Sequence, residues 1–278
     1  MPPEFDLIGP WSEVKLDILR EYAAPYSKIL TTHGFYHRYI DSHAGRGSHV
    51  SKATGEVVDG SPRIALSTDP PFREYHFIET NPVRVGQLRQ LAANRSDVYV
   101  HEGDCNDVLL RDVLHRAKYE DRRRALCLLD PYNIDLAWEV VSAVDVRSVE
   151  IFLNFMVMDM NMNVLLNNPE KADKAQLARM DRFWGDRSWY EVTYELSRQS
   201  NLFTGPGEVK VEDANEKISE AYRKRLLDVA GFKYVPRPLR FVNSLGKTIY
   251  YLFFASPNET GKKIVESIFK KDRKRPGF

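Results

Sequence analysis

The sequence predicts an α/β protein with a Rossmann-like, doubly wound sheet of seven strands, the last antiparallel. Helices lie on both faces, and an insertion follows the fifth strand. Three observations predict this. Short β-rich segments alternate with helical patterns through the first half, the alternation fails from Met156 to about Val211, and regular order then returns as a helix and two strands. Alternation of this kind implies parallel pairing, because parallel strands need a crossover and a helix supplies it.

The elements follow in chain order. Trp11 to Thr31 reads as an amphipathic helix: Trp11, Val14, Ile18 and Tyr22 recur at steps of three and four, and Leu19 widens the stripe. Ser12 is its candidate N-cap, and Pro25 predicts a break or kink. The first five strands are expected at Tyr36–Asp41, Tyr75–Glu79, Val98–His101, Ala125–Asp130 and Val149–Phe155. The helices between them fall at Arg63–Ser67, Val83–Ala93, Asn106–Ala117 and Ala137–Ala143. Pro169 to Phe183 looks helical within the insertion. Asp213 to Ala230 is a helix ended by Gly231, and Tyr234–Phe241 and Thr248–Ala255 form a hairpin about Asn243-Ser244-Leu245-Gly246. A last helix, Gly261 to Lys271, runs into the basic tail Lys270 to Arg275. Residues 1–155 thus hold the N-terminal helix and a cofactor-binding half. Residues 156–211 are an insertion and candidate substrate-recognition region, and residues 212–278 complete the same domain.

The 278 residues suffice for one large domain with a proper core. A net charge of +1 leaves any nucleic-acid contact to local basic patches: Arg122-Arg123-Arg124, Arg237, Arg240 and the tail. The two cysteines, Cys105 and Cys127, lack metal-ligand spacing and read as buried thiols. The start of the chain lacks a basic-then-apolar signal, and no apolar run is long enough to span a membrane, so a cytoplasmic protein is expected. Of His33, His37, His43 and His49, the first two are four apart but pass from loop to strand, so no metal site is expected. Trp184, Trp189 and Tyr190 read as insertion core, with a base-stacking platform as the alternative.

Four loops end successive predicted strands, where open α/β sheets bind ligands. In Asp41-Ser42-His43-Ala44-Gly45-Arg46-Gly47, small residues permit close backbone approach, and an acid at the strand end can hold an amino group. Glu79, before Thr80-Asn81-Pro82, is placed to accept from two ribose hydroxyls; a carboxylate at a helix start is the plainer alternative. In Gly103-Asp104-Cys105-Asn106, Asp104 can accept from an adenine amine, or Asp104 or Asn106 can cap a helix. Asp130-Pro131-Tyr132 leaves the apolar run Ala125 to Leu129. Together these loops point to S-adenosylmethionine (SAM). A nicotinamide fingerprint is incomplete, because Val50 stands where Gly45-x-Gly47 would need its third glycine or alanine.

The Asp-Pro-aromatic step resembles the (D/N)PP(Y/F) motif of methyltransferases that alkylate exocyclic amines of nucleobases. More widely, Trp11-x-x-x-Lys15-Leu16, Tyr39 to Gly47, Gly60-Ser61-Pro62, Phe77-Ile78-Glu79, Gly103 to Asn106 and Leu129 to Tyr132 with Trp138 resemble the three-Cys-motif partner (TcmP) family. That family is similar to a branch of the class I SAM-dependent methyltransferase fold and to bacterial ribosomal RNA adenine-N6 methyltransferases. Its members often stand beside a three-cysteine protein related to radical-SAM enzymes. The resemblance implies catalysis by Asp130, Pro131 and Tyr132 on adenine N6 in RNA or DNA. It implies SAM binding by Lys15, Asp41, Ser42, Gly45, Gly47, Glu79, Asp104 and Cys105. His43, Arg46 and Asn133 depart from the family's pattern at the loops and are candidate substrate contacts. The alternative is a non-catalytic partner subunit of the three-cysteine protein.

Overall fold

The computed structural model describes residues 6–201 and 205–275, with backbone alone for 196–201 and 205–209. Its strands are β1 (Asp6–Ile8), β2 (Tyr36–Asp41), β3 (Ser48–Ser51), β4 (Val57–Asp59), β5 (Glu74–Glu79) and β6 (Val98–Glu102). Then come β7 (Arg123–Leu129), β8 (Val149–Phe155), β9 (Tyr194–Asn201), β10 (Gly205–Lys210), β11 (Leu239–Val242) and β12 (Thr248–Ala255). The first helices are α1 (Pro10–Thr32), α2 (Ser61–Leu66), α3 (Pro82–Leu91), α4 (Cys105–Val108) and α5 (Trp138–Ser142). They are followed by α6 (Val157–Asn163), α7 (Lys174–Trp184), α8 (Trp189–Thr193), α9 (Ala214–Asp228) and α10 (Glu259–Asp272).

The main sheet has seven strands in the order β11-β12-β8-β7-β2-β5-β6. Numbered along the chain, that is 6-7-5-4-1-2-3. β12 runs antiparallel to both neighbours, and the other pairings are parallel. This is the sheet of the class I methyltransferase fold, as the alternation predicts. Successive strand side chains point to opposite faces. Ile40, Cys127, Leu129, Ile151 and Leu153 therefore join the core under α4, α5, α7 and α9. Tyr39, Leu126, Leu128 and Phe152 join the core under α1, α2 and α10.

Several expectations need correction. α1 begins at Pro10 with Gly9 as N-cap, so Ser12 lies inside the helix and caps nothing. The helix also runs unbroken through Pro25. An interior proline costs about 3 kcal/mol, and packing of Tyr22 and Tyr26 against Phe152, Phe254 and Phe72 opposes it. The segment Asn106–Ala117 is divided into α4, a π turn at Leu109–Val113 and a 3-10 turn at Leu114–Arg116. Pro169 to Phe183 is likewise divided, into a 3-10 turn at Pro169–Lys171 and α7, whose first turn is capped by the Asp173 side chain. The strand expected from Tyr234 is only β11, with an isolated bridge between Tyr234 and Ser256. The loop after β2 carries an unforeseen hairpin, β3-β4, which pairs with β1 to form a second sheet.

The insertion packs into the first core through α6 to α8. Trp184 and Trp189 are buried, which makes them core and not an exposed platform. Both cysteines are free and buried. His37 is buried against the Ser27 hydroxyl at 2.7 Å. Among the described residues, no helix is long and apolar enough to cross a membrane.

Candidate active site

The loops after β2, β5, β6 and β7 converge at one edge of the sheet on two adjoining cavities that share His43 and Tyr132. One, of about 270 Å³, lies between α1 and the Asp130 loop. The other, of about 430 Å³, runs past Glu79 to Asp104. The two rings meet edge to face, with centroids 6.1 Å apart. Tyr132 itself is 63% exposed, which leaves ring surface open to a ligand.

Asp130 is the most heavily supported side chain of the first cavity. Lys15 Nζ lies 2.5 Å from its Oδ2, and Asn154 Nδ2 donates to its Oδ1 at 2.9 Å. Its main-chain N–H donates to Ser42 Oγ at 3.2 Å, so the loops after β2 and β7 are tied together. Two elements therefore fix the carboxylate, α1 through Lys15 and β8 through Asn154, while the β2 loop holds the Asp130 main chain through Ser42. Lys15 in turn sits 5.8 Å from the Tyr250 ring centroid, and the Tyr250 hydroxyl donates to the Trp11 carbonyl at 3.0 Å. Asn154 Oδ1 is a buried acceptor without a partner among the described residues. The Ser42 hydroxyl also meets His43 Nδ1 at 2.7 Å. Burial lowers the His43 pKa, so its ring is neutral at pH 7.

In the second cavity Glu79 is buried and organises main chain. It accepts from Gly45 N at 3.1 Å and from Thr80 N and Asn81 N at 2.9 Å each. Thr80 Oγ1 also donates to it at 3.4 Å, and Arg84 Nη1 lies 3.8 Å away. A carboxylate has about four acceptor positions, so a ligand hydroxyl would take the place of the long Thr80 contact. Gly45 takes φ +64°, a left-handed conformation that lets its N–H turn toward Glu79. Asp104 caps α4 through Asn106 N and Asp107 N while still lining the cavity, as does Cys105. Burial drives the Cys105 thiol up to about 12, which leaves it protonated. Arg84 bridges the rim, 3.1 Å from Asp6 and 3.2 Å from the Tyr132 hydroxyl.

Other expected residues stand apart from both linings. Asp41 is fully buried beneath the loop, accepting from Tyr39 OH at 3.2 Å and His43 N at 3.3 Å. It therefore holds the loop, in place of the amino group expected from sequence. Gly47 is buried against Leu91, Arg46 pairs with Asp6 at 3.4 Å, and Asn133 is exposed outside both cavities. Lys15, expected beside a cofactor carboxylate or a phosphate, does line the first cavity, but paired with Asp130. The triplet Arg122 to Arg124 lies at the start of β7, the opposite edge of the sheet from Asp130. Asn154 and Tyr250 were not anticipated. Asn154 had a signal, a lone amide in the apolar run Ile151 to Phe155; Tyr250 had none, because it stands within the apolar run Ile249 to Ala255.

The sequence matches no family model and no curated protein. Among solved structures the chain is similar to a Legionella pneumophila protein of the DUF519 family. The identity is 13%, over 92% of this chain and 90% of that one, with TM-score 0.49. It is similar to a candidate methyltransferase from Thermobifida fusca at 16% identity, over 88% and 79% of the chains, with TM-score 0.41. A third likeness is to the N-methyltransferase NodS of Bradyrhizobium japonicum, at 10% identity over 87% and 98%, with TM-score 0.34. The class of the fold is defined by the strand order itself.

Proposed function

We propose that the protein is a SAM-dependent methyltransferase that alkylates an exocyclic amine, with adenine N6 in RNA or DNA as acceptor. Asp130 carries this reading: a strand-end carboxylate, fixed by Lys15 and Asn154, followed by a proline and an exposed tyrosine. The likeness of Leu129 to Tyr132 to the amine-methylating motif, and of the wider loops to the TcmP family, supports it.

Glu79, Asp104 and the Gly45 loop fit an adenosyl group by their chemistry. A strand-end carboxylate whose fourth contact is the long one from Thr80 Oγ1, at 3.4 Å, can exchange it for a ribose hydroxyl, and Asp104 can accept from an adenine amine. When bound, SAM supplies an electrophilic methyl group. An adenine amine is a weak nucleophile because its lone pair is delocalised, so the chain's task is to orient and localise that pair. Asp130 and the Pro131 carbonyl accept from the amine and draw it toward tetrahedral geometry. Asn154 Oδ1, a buried acceptor with no partner among the described residues, adds a further position in the same cavity wall. Tyr132 stacks on the base, and Lys15 holds the carboxylate in register.

The test is transfer of labelled methyl from SAM to RNA and DNA pools by wild type and Asp130→Asn. Label in N6-methyladenine that falls about 100-fold or more in the variant is expected. SAM binding without transfer to either pool would contradict the enzyme. It would favour a partner subunit, to be sought by copurification with a three-cysteine protein.

A further inference from the structure

A third cavity, of about 440 Å³, lies at the opposite edge of the sheet from Asp130. It is enclosed by the starts of β7 and β8, the carboxyl-terminal half of α1 and the first turn of α10. Tyr26 lines it and is only 6% exposed, yet its hydroxyl has no hydrogen-bond partner among the described residues. A buried hydroxyl left unpaired costs about 1–3 kcal/mol. The neighbouring acid does not use it. Glu150 accepts instead from Tyr22, from Ser256 Oγ at 2.8 Å and from Asn258 Nδ2 at 2.6 Å.

Charge in this cavity points the same way. The Arg124 guanidinium lies 4.4 Å from the ring centroids of both Phe35 and Tyr119, and no carboxylate among the described residues pairs with it. Its Nη1 donates to the Arg123 carbonyl at 2.8 Å, which fixes the fork. Arg147, at the same cavity, is committed to Glu120 at 2.7 Å and Asp145 at 3.1 Å. The amino-terminal end of α10 opens here at Thr260 and Gly261, adding the positive end of a helix dipole. Opposite these donors stand Ile29, Leu30 and Ile264, which are apolar.

We propose that this cavity binds a small organic anion, a carboxylate or phosphate monoester carried on an apolar or aromatic body. The anionic group meets Arg124 and the Tyr26 hydroxyl, and the body lies against the isoleucine and leucine side chains. The site is independent of the methyl-transfer reading, although helix α1 carries both Lys15 and Tyr26, and β8 both Asn154 and Glu150.

Calorimetry of the full chain with octanoate, benzoate, adenosine 5′-monophosphate and inorganic phosphate tests the assignment. Octanoate or benzoate separates an organic acid from a nucleotide as the source. At least one of the three organic anions should bind, and inorganic phosphate, lacking a body, should not. Arg124→Gln should weaken that binding about tenfold or more, and Tyr26→Phe about fivefold. If Arg124→Gln does not fold, Arg124→Lys replaces it and should weaken binding less than tenfold, since it keeps the charge and loses the fork. Absence of binding by all three at millimolar concentration would overturn the proposal. So would binding that both substitutions leave unchanged, which would place the anion elsewhere.

Discussion

Asp130 is held from two sides, and the two holds have different consequences. Removing Lys15 leaves the carboxylate its Asn154 bond but takes away its only charged partner among the described residues. Lys15→Met should therefore lower kcat by about tenfold or more while leaving SAM affinity within about twofold. Asn154→Ala should lower kcat as well, because one carboxylate oxygen is then free to rotate. Steady-state kinetics with separate measurement of cofactor binding checks both, and unchanged kcat in either variant would contradict the positioning role. Asp130, Glu79 and the glycine loop were legible in the sequence because each ends a strand and is a residue type with evident chemistry. Tyr250 was not legible, since an aromatic in an apolar strand carries no mark of the cavity it faces. The partner of Lys15 was also hidden, because pairing across 115 positions is decided by tertiary packing.

At the scale of elements, the end of α7 offers a sharp test of the insertion. Gly185 closes that helix at φ +99°, and a β-carbon there would lie 2.5 Å from Trp138 Cδ1 and 2.9 Å from Arg225 Nη2. Both the conformation and the contact exclude a larger residue. Gly185→Ala should cost roughly 2–4 kcal/mol in urea unfolding; a loss below about 0.5 kcal/mol would contradict the packing. The main strands and α1 were legible from periodicity. The sheet β1-β3-β4 was not, because its strands are three or four residues long and too short to display alternation. Pro25 misled for a related reason. A local rule was outweighed by the aromatic packing of Tyr22 and Tyr26, which depends on distant strands.

Across the whole molecule, stability should carry the mark of Asp41. Burial raises its carboxyl from 3.8 to about 6, against the hydrogen bonds it accepts from Ser61, His43 and Tyr39. The folded state therefore keeps a proton that the unfolded chain releases, so this contribution is full below about pH 4 and is lost as pH rises through about 6. The unfolding free energy of wild type minus that of Asp41→Asn should fall by roughly 3 kcal/mol between pH 4 and pH 7. Urea unfolding at the two pH values measures it, and a difference independent of pH would contradict the buried carboxyl. The seven-stranded sheet with its last strand antiparallel was legible because parallel alternation followed by a hairpin admits few topologies, whereas the order of the strands comes from the pairing itself.

The central claim is that Glu79 and its loops hold an adenosyl cofactor beside Asp130. Calorimetric titration of the protein with S-adenosylhomocysteine, beside Glu79→Gln, tests it most directly. Glutamine retains one acceptor oxygen for the loop amides but loses the carboxylate offered to the ribose. Binding by wild type that weakens about tenfold or more in the variant is predicted. No binding by wild type, or equal binding by both proteins, would contradict the account.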